Sequence, residues 1–205
     1  FHAFPGGKVD REDALVEVEN CRDEALKKFV VAAARETFEE VGVLLARGGA
    51  ALTKGQRAAL RDDLLSKRFS FAEILDTWGL RLDAEDFFYT GFWTTPKFSP
   101  VRFKTHFFLA RCPRRQEPEV LGEFVAGEFA APGAALRRWE NSEILISPPV
   151  LLTLQTLAGE FDSRGCGGSD AATVERQNKV HNHDESNSPK NPSPALRLCV
   201  ENLLA

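Results

Sequence analysis

The run from Asp23 to Val41 contains neither Gly nor Pro. Within it Val30, Ala34, Phe38 and Val41 recur at the three- and four-residue steps that bring side chains onto one helical face, and Gly42 follows as a residue suited to left-handed helix termination. A helix here must hide that stripe. The same spacing gathers Glu36, Glu39 and Glu40 on another face, because positions i, i+3 and i+4 are neighbours. Any fold must therefore bury one side of this helix while holding three carboxylates together on the other.

Three like charges so close repel one another and cost stability unless a cation sits among them. Magnesium is the natural cation: it is hard, takes carboxylate and carbonyl oxygens, keeps several waters and is completed by substrate phosphates. Arg35, beside the cluster, is able to orient one carboxylate through paired charge-assisted hydrogen bonds. On the helix alone, a solvated acidic face is the commoner meaning of such a run. The residues around it decide between the two.

Before the helix, Phe1 to Asp10 reads as a loop, since Phe4-Pro5-Gly6-Gly7-Lys8 breaks regular structure. After it, Val43-Leu44-Leu45 reads as a short strand. Lys54 to Trp78 interleaves Leu60, Leu64, Leu65, Phe69, Phe71, Ile74 and Leu75 with charged residues, which predicts two short helices and a helical insertion over about residues 50–80. Phe87–Thr95 and Val101–Ala110 are aromatic and β-branched, separated by Pro96 and Pro100, and predict a hairpin. A further strand is expected over Phe124–Ala130. Helices opened by prolines are expected over Pro132–Trp139 and Pro148–Leu157.

Beyond Phe161 the chain turns to Gly, Ser, Asn and Pro with hardly an aliphatic side chain before Leu196, too little apolar surface to offset the entropy of ordering. Residues 1–161 are thus expected to form the domain and 162–205 a flexible tail, with a last helical turn or two over Ala195–Leu204. His181-Asn182-His183-Asp184 has metal-compatible side chains but lies in that tail without a third ligand at a recognisable spacing. His106 and Trp93 read as core or edge residues of the hairpin.

Lys and Arg total 26 against 30 Asp and Glu, a formal charge of −4 with no basic block, which speaks against nucleic-acid binding through the phosphate backbone. No stretch approaches the roughly 18 apolar residues needed to span a bilayer, so no membrane association is expected. Cys21, Cys112, Cys166 and Cys199 are too dispersed for a zinc knuckle or redox pair, and reduced thiols in a cytoplasmic protein are expected. Oligomeric state is not legible.

Arg35-Glu36-Thr37-Phe38-Glu39-Glu40-Val41-Gly42-Val43 resembles the second half of the Nudix box, G-x5-E-x7-R-E-U-x-E-E-x-G-U with U bulky and aliphatic, and Phe38 is taken as its bulky apolar member. Phe4-Pro5-Gly6-Gly7-Lys8 is similar to the loop that opens the box in many members. The pattern separates its glycine from its arginine by about fourteen positions, whereas here the separation is 35 − 7 = 28, so an insertion interrupts the box. Counted back from Arg35, the first glutamate falls on Lys27, and it is either lost or supplied by Glu24. The resemblance implies an α/β Nudix fold, a mixed sheet sandwiched between helices, whose early strands would precede the Phe-Pro-Gly-Gly loop; no methionine occurs in the 205 residues, and those strands are expected upstream of Phe1.

With the helical insertion and the aromatic hairpin, the chain is similar to the branch of the family that contains the peroxisomal coenzyme A diphosphatase. That implies metal-dependent hydrolysis of the pyrophosphate in a nucleoside diphosphate linked to another group, with coenzyme A or an acyl derivative as the candidate substrate. ADP-ribose, NADH and nucleotide sugars are the rivals, and a non-catalytic nucleotide-binding module, kept open by Lys27 and opposed by the intact trio of glutamates, is the alternative class. By the resemblance, Glu36, Glu39 and Glu40 with the Gly7 carbonyl would hold Mg2+ or Mn2+, and Glu123 would be an extra ligand or base. Arg102 and Lys104, alternating with Phe103 along the expected strand, would project from one face toward an anionic substrate.

Overall fold

A computed structural model describes residues 2–113, 115–119, 129–162 and 198–204. The chain runs through β1 (Gly6–Lys8), a 3₁₀ turn (Arg11–Leu15), β2 (Val18–Glu19), α1 (Glu24–Val41), α2 (Lys54–Leu65), α3 (Phe71–Thr77), β3 (Leu82–Asp83), β4 (Phe87–Thr94), β5 (Lys104–Ala110), α4 (Pro132–Glu140), α5 (Pro148–Asp162) and β6 (Leu198–Leu204). The first three α-helices begin where the sequence offers caps. The Asp23 carboxylate accepts from the Ala25 amide, and Thr53 with Gln56 and Ser70 with Glu73 form reciprocal capping boxes on α2 and α3.

The main sheet has the order β1-β6-β5-β4, with β1 parallel to β6 and the remaining pairs antiparallel. The hairpin of β4 and β5 is as the aromatic runs predict. Two expectations near the chain ends are overturned. The Phe-Pro-Gly-Gly segment contains a strand rather than only a loop, because β6 supplies Gly6–Lys8 with backbone partners. The segment expected to end in a helical turn instead carries β6, which pairs on both sides, Gly7 opposite Asn202 and Asn202 opposite His106. Residues 163–197, including His181 to Asp184, lie outside the described residues, as does all but Phe129 and Ala130 of the strand expected over 124–130.

Alternate residues of β5 serve different clusters, as strand pleating dictates. Phe108 and Ala110 join the core around α1, whereas Phe107 and Leu109 pack with Phe4, Phe88, Trp93 and Leu157. Helix α1 is buried round most of its girth: every residue from Phe29 to Arg35 is buried, together with Thr37 and Phe38. Its second side is covered by Leu60 and Leu64 of α2, Phe71, Ile74 and Leu75 of α3, and Val16 and Val18 from the stretch interrupting the box. The helical insertion and that stretch are joined directly, because β2 pairs in parallel with β3 and the Asn20 amide donates to buried Asp83 at 2.8 Å.

Val43-Leu44-Leu45 is buried but is not a strand. The Gln116 side chain stands in for a neighbouring strand, accepting from the Leu44 amide at 2.8 Å and donating to its carbonyl at 3.3 Å. A primary amide offers one acceptor and two donors, enough to satisfy a buried backbone unit without a ladder. His106 is buried in the core, as expected, stacked on Phe29 at 4.0 Å between ring centroids.

Candidate active site

The acidic end of α1 lies against β1. Arg35, 8% exposed at its side chain, organises the contact. Its Nε donates to Asp13 Oδ1 at 2.9 Å and its Nη2 to Asp13 Oδ2 at 3.0 Å, a two-pronged grip on a carboxylate that is itself 2% exposed. Nη2 also donates to the Lys8 carbonyl of β1 at 2.7 Å, and Nη1 donates to both Glu36 Oε1 at 2.9 Å and Glu39 Oε2 at 3.0 Å. Burial pulls the guanidinium's pKa down, but Asp13, Glu36 and Glu39 together hold it above its ordinary value. Arg35 is thus charged and locked.

The carboxylates do not receive full compensation in return. Burial pushes Glu36 upward and Glu39 up to about 7, in each case against the pull of Arg35. Glu40 is held by the neighbouring glycine, its Oε2 accepting from the Gly6 amide at 2.9 Å. Gly7 lies so close to Glu36 that a Cβ there would stand 2.3 Å from the carboxyl carbon. Only a residue without a side chain allows this approach.

The structure therefore brings together Glu36, Glu39, Glu40 and Gly7. It corrects the expectation for the first acid of the box. Glu24 is on the exposed first turn of α1, and Lys27 bonds Glu17 at 3.0 Å, so neither stands at Arg35. The residue that braces Arg35 is Asp13. Counting forward from Gly7 through five residues reaches Asp13, whereas counting back from Arg35 crosses the insertion and misses it. The bulky aliphatic position of the pattern is likewise Thr37, not Phe38; the fully buried Thr37 hydroxyl donates to the Ala33 carbonyl at 2.7 Å, which removes the penalty of burying it.

Arg102 and Lys104 do not share a strand face as expected. Arg102 precedes β5 and its Nε donates to the Thr95 carbonyl at 3.2 Å, while Lys104, the first residue of β5, holds its ammonium 4.3 Å from the centre of the Phe92 ring. Both are exposed. Glu123 lies outside the described residues.

Among the described residues no three Asp, Glu, His or Cys side chains converge as a ready metal cage. The donor chemistry nonetheless fits a hard divalent ion: two half-buried carboxylates share one guanidinium nitrogen, both are under-compensated, and a glycine backbone is pressed against one of them.

No protein-family model and no curated protein matches the chain. Among solved structures, it is similar to a NUDIX hydrolase from Alicyclobacillus acidocaldarius, with a TM-score of 0.60 and 30% identity over 76% of this chain and 74% of the other. The chain belongs to the NUDIX hydrolase family. As a NUDIX hydrolase it is a pyrophosphate-cleaving enzyme, and the box, read through its insertion, falls where α1 meets β1. Among the described residues, no helix of this NUDIX hydrolase is long and apolar enough to cross a membrane.

Proposed function

We propose that this chain hydrolyses a nucleoside diphosphate linked to a second group, and that Glu36, Glu39 and Glu40 with the Gly7 carbonyl hold the Mg2+ or Mn2+ it uses. The observation that carries the reading is the Arg35 hub, which holds Glu36 and Glu39 on one nitrogen while Gly7 closes on Glu36. A divalent ion bound there would neutralise the bridging phosphates and lower the pKa of an attacking water. The chain's own contribution is placement. Asp13 and the Lys8 carbonyl fix Arg35, Arg35 sets the rotamers of Glu36 and Glu39, and the Gly6 amide sets that of Glu40. Lys27 is engaged on Glu17 and Asp13 takes the place of the box's first acid at Arg35, which supports the catalytic reading over a non-catalytic module. The unit carrying the activity is residues 1–161 with β6, a sheet sandwiched between helices. The free thiols of Cys21 and Cys112 agree with a reducing compartment such as the cytoplasm.

For the substrate we favour coenzyme A or an acyl derivative, a molecule that offers a pyrophosphate to the acids, a 3′-phosphate to a cation such as exposed Arg102 or Lys104, and a long arm to an apolar groove. Calorimetric titration with Mn2+ tests the site: the wild type should bind, and the Glu39→Gln/Glu40→Gln double variant should not. Equal binding by both refutes the assignment. A panel of coenzyme A, 3′-dephospho-coenzyme A, ADP-ribose and NADH tests the substrate. A higher kcat/KM for ADP-ribose than for coenzyme A would remove the coenzyme A reading and leave the hydrolase reading standing.

A further inference from the structure

The helix that carries the acids ends without a basic residue in its last turn, and the last carbonyls of any α-helix lack partners within it. Here the partner comes from the helical insertion. Arg61, near the middle of α2 and 4% exposed, donates Nε and Nη2 to the Glu39 carbonyl at 2.9 and 2.6 Å and Nη2 to the Glu40 carbonyl at 2.7 Å. Its Nη1 donates to the Glu119 carbonyl at 2.7 Å, while the Glu119 amide donates to the Val41 carbonyl at 2.8 Å. Gly42, at φ 68°, gives the guanidinium room; a Cβ there would lie 3.3 Å from Nη1. One planar fork therefore binds the backbone of two of the site's three glutamates and the Glu119 carbonyl beside them.

We propose that Arg61 is a positioning residue of the metal site: by holding the Glu39 and Glu40 carbonyls it fixes where their carboxylates stand, and it makes the insertion a working part of the active site. The proposal rests on the assignment of these acids to a divalent ion. Lysine cannot replace Arg61, because an ammonium is a point charge on a flexible stem and cannot span three carbonyls in one plane. The geometry also separates this role from simple packing, since Leu64 of the same helix is buried in the core without touching the end of α1 through a polar bond.

The test is calorimetric titration of the full chain with Mn2+, alongside thermal unfolding, for the wild type, Arg61→Lys, Gly42→Ala and Leu64→Val. Arg61→Lys should bind Mn2+ about tenfold or more weakly, the loss typical when a residue that orients metal ligands is removed. Gly42→Ala, which keeps the guanidinium but presses a methyl against it, should show a smaller loss in the same direction. Leu64→Val should lower the unfolding temperature and leave Mn2+ affinity unchanged. Wild-type affinity in Arg61→Lys overturns the proposal, as does an equal loss in Leu64→Val; should Arg61→Lys fail to fold, unchanged affinity in Gly42→Ala overturns it. A wild type that takes up no Mn2+ overturns the metal assignment itself, and this proposal with it.

Discussion

Replacing Asp13 by Asn tests the hub that organises the site, because it removes one charge and alters almost no volume. The Asp13 carboxylate accepts three hydrogen bonds, from Arg35 Nε at 2.9 Å, Arg35 Nη2 at 3.0 Å and its neighbour's amide, Asp10 N, at 2.7 Å. An amide placed with its nitrogen toward Oδ1 faces one donor with another; turned the other way it faces two. Breaking one side of a buried ion pair costs about 3–5 kcal/mol, because the other charge stays buried without its partner. Arg35 keeps the Lys8 carbonyl, Glu36 and Glu39, which lowers the expected loss to about 2–4 kcal/mol. For a chain of this size each kcal/mol moves the midpoint by about 2–4 °C, so Tm should fall by roughly 5–15 °C. Thermal and urea unfolding at pH 7 in the presence of a chelator measure this without any contribution from bound metal. A loss below about 1 kcal/mol would show that Asp13 is no more than a surface-strength partner, and the reasoning from burial would fail.

Gly7→Ala should lower Tm only modestly, since the clash is with the far end of the Glu36 side chain, which can yield by giving up its bond to Arg35, but should weaken Mn2+ binding about tenfold, the consequence of about 1.4 kcal/mol lost on displacing one carboxylate; calorimetry that finds full affinity refutes the close packing. His106 has its pKa lowered by burial and by the nearby charges of Lys104 and Lys28, which favours the neutral ring in the fold, so its contribution is complete above the ordinary histidine value near 6.5 and is lost as pH falls below it. Urea melts at pH 7.5 and 5 should show a smaller pH dependence in His106→Phe than in the wild type, and identical slopes would reject the histidine as a source. Truncation after Asp162 removes β6 from between β1 and β5, so the shortened chain should be insoluble or unfolded; a soluble, cooperatively melting product would mean that β6 is not part of the working sheet.

What the sequence disclosed and what it hid follow from the range of the interactions. Helix α1 and the β4–β5 hairpin were legible because their periodicity, caps and terminating Gly42 are local, and the acidic cluster was legible because it sits on one helix. Asp13 is also written in the sequence, six positions past Gly7 with five residues between, but the stretch that follows it shifts every count taken from the arginine side. Strand β6 could not be read from composition, because its place depends on partners about half the chain or more away, β5 and β1, and its sequence surroundings are polar. The Gln116 contact with Leu44 is of the same kind: nothing local marks one glutamine as a substitute strand. Arg61 sits among other charged residues of α2, and only the end of α1 gives it a role.

The parallel pairing of β1 with β6 has a consequence for how the protein is made. Gly6 lies opposite Glu201, a sequence separation of 201 − 6 = 195, and among the described residues β6 is the only strand paired with β1. Contacts of such separation form slowly, because nearly the whole chain must be closed into a loop before they repay its entropy. On a ribosome the Gly-Gly strand that backs Glu36 and Glu40 therefore waits, unpaired, until Leu198–Leu204 has emerged, while the hairpin presents the edge of β5 that β6 will fill. Such waiting edges are where nascent chains aggregate. The acidic cluster is fixed early by a local helix, but the backbone it closes upon is set only once Leu198–Leu204 is in place.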